Sequence, residues 1–294
     1  MPWRYVLLFI GVFASSTAVI MIRMSHTHPT VLAALRLLLA AALLAPLYWN
    51  ARKKHQAVYT REHRGRTFLP AALLALHLIL WGFGSRLTPV ASASLIANLA
   101  PIALPFFLHY LVGERINRTE IIGTALALSG VIALTAPGLR GGEGLLGNVI
   151  CFGAMIAAAG YVALGRRNRD FPSLWLYVVP VYLQAGLISL VVSLPWLHTF
   201  EFGSGREWLL MLGLACLPTI LGHSMINYGV RHLRGQIVSL CNVTQFVFAT
   251  VLGFLFFHEL PSLLFYAAST LVVAGIALVV FSAPTPLPPA PVGD

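Results

Sequence analysis

Charge is scarce in this sequence, and acidic charge is scarcest of all. Only 10% of the 294 residues are charged, nine of them aspartate or glutamate, whereas 58% are hydrophobic and the mean hydropathy is +0.83. A soluble domain carries roughly 25% charged residues. This deficit excludes an ordinary soluble enzyme and a soluble nucleic-acid-binding protein, and it indicates a protein embedded in a membrane.

Other absences narrow the possible functions further. The three cysteines, Cys151, Cys216 and Cys241, all fall within apolar segments, so no disulfide is expected. No spacing of histidine or cysteine matches a metal site. The G-x-x-x-x-G-K-[ST] motif of nucleotide-hydrolysing motors is missing from this chain. We therefore expect no cofactor, no metal and no nucleic-acid partner.

Long uncharged runs separate the few charges, and only Arg36 interrupts one of them. Each run holds at least 18 residues, and about 20 residues of helix cross the hydrocarbon core of a bilayer. The sequence thus predicts an all-α membrane protein with ten spans, numbered here in chain order: Tyr5–Ile22, Pro29–Trp49, Phe68–Gly84, Ala91–Val112, Ile121–Ala136, Leu145–Gly165, Leu174–Leu194, Trp208–Gly229, Gln236–Phe257 and Ser262–Phe281.

The basic residues are distributed unevenly between the connecting segments. Cytoplasmic loops of membrane proteins carry an excess of Lys and Arg. If the first segment is cytoplasmic, 14 of the 19 basic residues lie on the cytoplasmic side and only Arg23, Arg86, Arg140 and Arg206 lie opposite. This asymmetry predicts a multi-pass membrane protein with both termini in the cytoplasm.

Two parts of the sequence resemble each other at a constant offset of 145 residues. The offset places span 3 on span 8 and span 5 on span 10, a shift of five spans. Because five is odd, the second copy is inverted in the membrane, a construction that recurs in secondary transporters. We predict two inverted five-helix repeats, residues 1–140 and 141–283, followed by a disordered Pro-rich tail, 284–294. Identical pairs include Gly84/Gly229, Arg86/Arg231, Ser94/Ser239, Glu114/Glu259 and Gly130/Gly275.

The motifs within these repeats resemble a known family. The segments ALRLLLA, LTPVASASL, NLAPI, GER and LSGVIAL, with RHLRGQIVSL, FFHEL and AGIAL in the second copy, are similar to EamA-type members of the drug/metabolite transporter superfamily. The resemblance implies a transporter that works by alternating access. It leaves the substrate open, and the YddG-like aromatic amino acid exporters are the subgroup we favour. This subgroup implies a location in the bacterial inner membrane. Phe246 aligns with Pro101 where the family often has a second proline, which puts a kink in span 9 in doubt.

Arg36 is the most unusual residue, because its charged guanidinium lies inside an apolar span. An uncompensated arginine at the centre of a membrane helix costs about 2.5–3.5 kcal/mol. One interpretation is that its long side chain snorkels to the interface. The other is that Arg36 points into a central cavity, is held by carbonyls or amides near Asn98, and binds the carboxylate of an amino acid. Val181, at the equivalent position in the second repeat, carries no charge, which favours the second interpretation.

Further polar and aromatic residues inside the spans are candidates for the same cavity. His77 and Trp81 share a helix face, as do His223 and Asn227, because each pair is four residues apart. The histidines could relay protons or could be neutral hydrogen-bonding groups. The amides could bind a solute or join helices. The predicted substrate-binding set is Arg36, His77, Trp81, Asn98, Tyr161, Tyr182, His223, Asn227, Asn242 and Gln245, with Pro101 and Pro105 as hinge candidates.

Two other groups of residues have structural interpretations. Glu114 and Glu259 are expected to anchor helix ends at the membrane interfaces. Small residues in spans 5 and 10, among them Gly123 and Gly275, permit close helix packing between the repeats or in a homodimer. The sequence leaves open whether the protein is a monomer or a homodimer.

The predicted function is export of amino acids, possibly aromatic ones, or of similar small metabolites, with membrane lipids as the surroundings and no enzymatic activity. Efflux of drugs or other metabolites is the alternative within transport. The lack of a mid-membrane carboxylate is unfavourable for cationic drugs, which would need aromatic rings instead. From other classes, a membrane-embedded enzyme using His77 and His223 or a lipid scramblase are the competing hypotheses.

Overall fold

The computed structural model describes residues 3–112, 117–139, 144–232, 238, 241–242 and 244–282. Glu114, the tail 284–294 and the first two residues of span 9 lie outside these residues. Throughout the described ranges the regular secondary structure is helical. Seven segments there are long and apolar enough to cross a membrane: Trp3–Met24, Pro29–Lys54, Arg61–Gly84, Val90–Leu111, Leu145–Arg167, Leu174–Thr199 and Gly205–Gly229.

The helices follow the predicted spans closely, although several extend further at their ends or are divided. In chain order they are α1 Trp3–Ser16, α2 Ala18–Met24, α3 Pro29–Lys54, α4 Arg61–Gly65, α5 Phe68–Gly84, α6 Val90–Ala97, α7 Ala100–Val112, α8 Arg118–Leu139, α9 Leu145–Arg167, α10 Leu174–Ser193, a 3₁₀ helix Leu194–Thr199, α11 Gly205–Leu214, a π-helix Ala215–His223, α12 Ser224–His232, α13 Gln245–Phe257 and α14 Leu263–Ser282.

Spans 1 and 4, which the sequence predicts as continuous helices, are each divided in two. Span 1 breaks at Thr17, whose hydroxyl donates to the Ala14 carbonyl at 2.7 Å, and such local bonds compete with the helical pattern. Span 4 breaks at Asn98 and Leu99, just before Pro101. A proline lacks the backbone N–H that would continue the helical hydrogen-bond pattern, which accounts for the position of the break.

Span 8 differs from the prediction in another way, because its middle is a π-helix. Pro218 lies inside this wider segment and cannot donate a backbone hydrogen bond. Thr219 stabilises the segment, since its hydroxyl donates to the Leu214 carbonyl at 2.8 Å. π-Segments within α-helices are frequent at functional sites, and this one borders the cavity described below.

Helices from the two parts of the chain pack against each other in pairs. The most extensive contacts join α3 to α10, α5 to α9, and α8 to α14, with further contacts between α6 and α13 and between α1 and the π-helix. The α8–α14 contact is especially close, because a Cβ added at Gly123 would lie 2.6 Å from the Gly275 carbonyl oxygen. Small residues therefore let the two backbones approach, as the sequence predicts.

Candidate functional site

A cavity of about 90 Å³ lies in the interior of the helix bundle. Its wall brings together residues from α1, α2, α3, α5, α6, α7, α9, the π-helix, α12 and α13, together with Asn98 in the α6–α7 break and Asn242 just before α13. Nine of the predicted site residues line it: Arg36, His77, Trp81, Asn98, Tyr161, His223, Asn227, Asn242 and Gln245. The first and last of these residues, Arg36 and Gln245, are more than two hundred positions apart in the chain, and the fold brings all nine around one cavity.

Arg36 is buried in this wall, with only 2% of its surface exposed. Its Nε donates a hydrogen bond to the Thr219 hydroxyl oxygen at 2.9 Å. Its Nη2 atom has no hydrogen-bond partner among the residues that the structure describes. The snorkelling interpretation is therefore wrong, and so is the expected support from carbonyls or amides near Asn98. Thr219 holds the guanidinium and leaves part of its donor capacity unused.

Two histidines face each other across the cavity, with ring centroids 6.2 Å apart. His77 Nδ1 lies 2.9 Å from the Ala154 carbonyl oxygen. A carbonyl can only accept, so Nδ1 donates and the Nε2 of a neutral His77 ring is an acceptor. His223 also lies against the Tyr161 ring, at a centroid distance of 6.4 Å.

The amides in the cavity wall are partly committed to other bonds. Asn227 Nδ2 donates to the Tyr161 hydroxyl and to the His223 carbonyl, both at 2.7 Å. Asn98 Nδ2 donates to the Ser94 carbonyl at 2.7 Å. Asn242 Oδ1, in contrast, is buried without a partner in the described part of the chain.

Tyr182 is one predicted site residue that the structure does not place in the cavity wall. It is fully buried behind the wall, with its hydroxyl 3.1 Å from the Ser224 hydroxyl and 3.4 Å from the Thr219 carbonyl oxygen. Its predicted place in the substrate-binding set is therefore replaced by a supporting role beneath Thr219. Pro101 and Pro105 belong to α7, and the adjacent residues Asn98 and Ala100 line the cavity.

Nine residues of the cavity wall are not among those predicted from the sequence: Ser15, Ala18, Leu78, Ala97, Ala100, Ala158, Val162, Pro218 and Ile226. Thr219 was not predicted either, although it accepts the hydrogen bond from Arg36. Small and hydroxyl residues are common in membrane helices, so neither Ser15 nor Thr219 stands out. Pro218 could have pointed to this part of the cavity wall, because a proline in the middle of a span indicates an irregular helix.

The side of the bundle that is rich in basic residues has a narrow pocket next to the cavity. Asn227 lines both spaces, and the pocket extends to Tyr177 and Arg231. Nearby, Arg66 binds Asp170 through two hydrogen bonds of 2.7 and 2.8 Å. These hydrogen bonds lower the pKa of the Asp170 carboxyl below its ordinary value.

On the opposite side, polar contacts join distant parts of the chain. Arg23 forms an ion pair with Glu259, whose second carboxylate oxygen accepts from the backbone N–H of Val90 at 2.8 Å. Arg86 donates to three backbone carbonyls between residues 22 and 27. The carboxylate of Glu207 accepts from two hydroxyls in the same segment. Glu259 thus has two specific partners in addition to its expected place at a helix end.

The profile of the EamA-like transporter family matches residues 2–136 and again residues 145–281. The chain belongs to the EamA-like transporter family. As expected for such a transporter, it has several apolar helices that can cross a membrane. The metal-ligand residues of the described ranges form no group of three or more that could hold an ion.

Several relatives of this EamA-like chain are named as exporters. The pseudopaline exporter CntI of Pseudomonas aeruginosa is 26% identical over 69% of this chain and 71% of its own length. The aromatic amino acid exporter YddG of Ancylobacter novellus is 26% identical over 66% of this chain and 68% of its own. A solved structure covers 94% of this chain and 96% of its own with a TM-score of 0.65 at 20% identity, which shows the shared fold.

Proposed function

We propose that this EamA-like protein is a secondary transporter that exports amino acids or similar small metabolites across the bacterial inner membrane. The observation that carries the proposal is Arg36, a buried cation in the cavity wall whose Nη2 lacks a partner within the described ranges. A buried charge needs a counter-charge or hydrogen-bonding partners. The carboxylate of a substrate supplies both, and a planar guanidinium suits its geometry.

The pairing of helices supports alternating access between two inverted five-helix repeats with ten spans. Spans 2 and 7 correspond to α3 and α10, spans 4 and 9 contain α6 and α13, and spans 5 and 10 correspond to α8 and α14, so a shift of five spans exchanges the two members of each pair. The same shift carries α5 and α9, in spans 3 and 6, onto spans 8 and 1, where the π-helix contacts α1. An inverted pair of repeats related by a two-fold axis has this pattern, and its two halves can reverse roles to open on either side.

The contacts at the two ends of the bundle support a state that is closed on the side opposite the one rich in basic residues. We call this the arginine-poor side. One ion pair and several hydrogen bonds to backbone carbonyls cover that side, whereas a pocket continues from Asn227 toward the basic side. With both termini in the cytoplasm, the basic side is cytoplasmic. Ligand pockets typically measure about 300–1,000 Å³, so the cavity of about 90 Å³ must widen to admit a metabolite.

Counterflow in proteoliposomes tests the proposal. Vesicles containing the purified protein are loaded with an unlabelled solute, and uptake of the labelled solute is measured for amino acids, nucleotide sugars and organic cations. We expect amino acids or related carboxylates to stimulate exchange. Exchange of organic cations alone would favour drug efflux, and lipid scrambling without any solute exchange would contradict a transporter.

A further inference from the structure

The cavity wall contains an unsatisfied acceptor in addition to the unsatisfied donor on Arg36. Asn242 Oδ1 is buried, and no partner for it lies within the described residues. Leaving a buried polar atom unpaired is unfavourable, and such atoms are uncommon in folded proteins. Arg36 and Asn242 line the same cavity, so one space offers an unpaired donor and an unpaired acceptor.

Neighbouring side chains add further acceptors. Asn98 donates one Nδ2 hydrogen to the Ser94 carbonyl, and its Oδ1 is an acceptor. His77 donates from Nδ1 to the Ala154 carbonyl, which leaves Nε2 of the neutral ring as an acceptor. An ammonium group has three donors and no acceptor. The cavity therefore has acceptors that match an amino group and a cation that matches a carboxylate.

We infer that the site recognises an α-amino carboxylate as a zwitterion, with Arg36 binding the carboxylate and Asn242 Oδ1 accepting from the ammonium group. This inference rests on the proposed function and adds a specificity-determining residue to it. A carboxylate without an amino group would leave Asn242 unpaired. An amine without a carboxylate would place a second cation near Arg36. Both analogues lose affinity relative to the zwitterion, since a site built to pair a polar group discriminates against a ligand that lacks it.

Ligand-induced thermal stabilisation of the purified protein measures this specificity without relying on transport. The probes are phenylalanine and leucine, their deaminated acids 3-phenylpropionate and 4-methylpentanoate, and the decarboxylated amine phenethylamine. We expect the wild-type protein to bind the amino acids at least about tenfold more tightly than the deaminated acids, the ratio that one hydrogen bond to a charged group provides. Phenethylamine should give no stabilisation.

Two substitutions at Asn242 separate recognition from folding. Asn242→Leu should bind phenylalanine no better than 3-phenylpropionate, with the affinity for 3-phenylpropionate unchanged. Asn242→Asp keeps an acceptor and should retain the preference for the amino acid. Asn50→Leu, an amide replacement on the exposed surface of α3, is the matched control and should behave like the wild type.

The results that would contradict the inference about Asn242 differ from those that would contradict the proposed function. If the deaminated acids bind as tightly as the amino acids, or if Asn242→Leu keeps the wild-type preference, the role of Asn242 is overturned while the carboxylate site at Arg36 stands. If no carboxylate of either kind binds, both this inference and the proposed function are contradicted.

Discussion

At the scale of single residues, the contact between Arg36 and Thr219 connects the most unusual feature of the sequence with the irregular π-helix. The hydrogen bond of 2.9 Å compensates part of the cost of burying the guanidinium. The position of Arg36 in an apolar span made it recognisable from the sequence alone. Its partner Thr219 was not recognisable, because hydrophobic periodicity does not show which hydroxyl on another helix will lie opposite a given side chain.

Tyr182 is a second residue whose neighbours could not be predicted from the sequence. A tyrosine in the middle of a span can face a cavity or the packed interior, and the sequence of α10 has no strong polarity difference between its faces. The structure buries its hydroxyl between Ser224 and Thr219. Trp81 and Tyr161 were predicted by the same reasoning and do line the cavity. A position in the middle of a span therefore identifies candidate site residues, but it does not show whether their side chains face the cavity.

His77 and His223 allow a prediction about coupling. No carboxylate is found among the described residues that line the cavity, so a proton on either ring would lack a counter-charge and would lie near Arg36. We expect His77→Gln and His223→Gln to keep transport dependent on an imposed gradient nearly as in the wild type. The test compares gradient-driven uptake with counterflow for each variant. Loss of driven uptake with intact counterflow would show that the replaced histidine carries protons.

At the scale of helices, prolines account for much of the irregularity that surrounds the site. Pro101 follows the break between α6 and α7, and Pro218 lies within the π-helix. The sequence analysis names Pro101 as a hinge candidate within a continuous span, and the structure interrupts the helix just before it. The sequence did not predict that Asn98 would occupy the break itself, because the exact end of a helix depends on tertiary contacts as well as on local preference.

The ion pair between Arg23 and Glu259 provides a prediction at this scale. The pair is partly exposed, and such pairs contribute up to about 1 kcal/mol, which corresponds to about a fivefold change in a population ratio. We expect Glu259→Gln to favour opening on the arginine-poor side. Arg23→Gln should do so less, because Glu259 also accepts from the Val90 N–H at the start of α6.

The measurement for this prediction is the reaction rate of an impermeant maleimide with a cysteine at Ala18, which lines the cavity, after the native cysteines are replaced. The exposed Glu201, altered to Gln, is the matched control and should leave the rate unchanged. Equal rates for Glu259→Gln and the control would show that the ion pair does not restrain opening.

At the scale of the whole molecule, the helical membrane architecture was predictable, because long uncharged runs and the repeat at a constant offset are properties of the whole sequence. The family profile matches both parts of the chain. The dimensions of the cavity were not predictable, because they depend on how side chains from many helices pack together. The sequence also could not indicate which side chains form the polar contacts at the end of the bundle opposite the basic residues.

The orientation of the molecule is a separate prediction, based on the uneven distribution of basic residues. Single cysteines placed in Ala51–Arg66 or in Arg166–Phe171 should react with an impermeant reagent only from the cytoplasm. Cysteines in Thr199–Gly205 should react only from the periplasm. Labelling of the first segment from the periplasm would contradict both the orientation and the inverted arrangement that depends on it.

The central claim is that Arg36 binds the carboxylate of the substrate, and it is tested most directly by proteoliposome transport of Arg36 variants beside their melting temperatures. We predict that Arg36→Lys reduces transport by at least about tenfold, since an ammonium cannot reproduce the two-pronged geometry. Arg36→Leu should abolish transport while remaining folded, and the exposed Arg61→Leu should behave like the wild type. Wild-type transport by Arg36→Leu would contradict the claim, and loss of folding in both Arg36 variants would assign the residue a structural role instead.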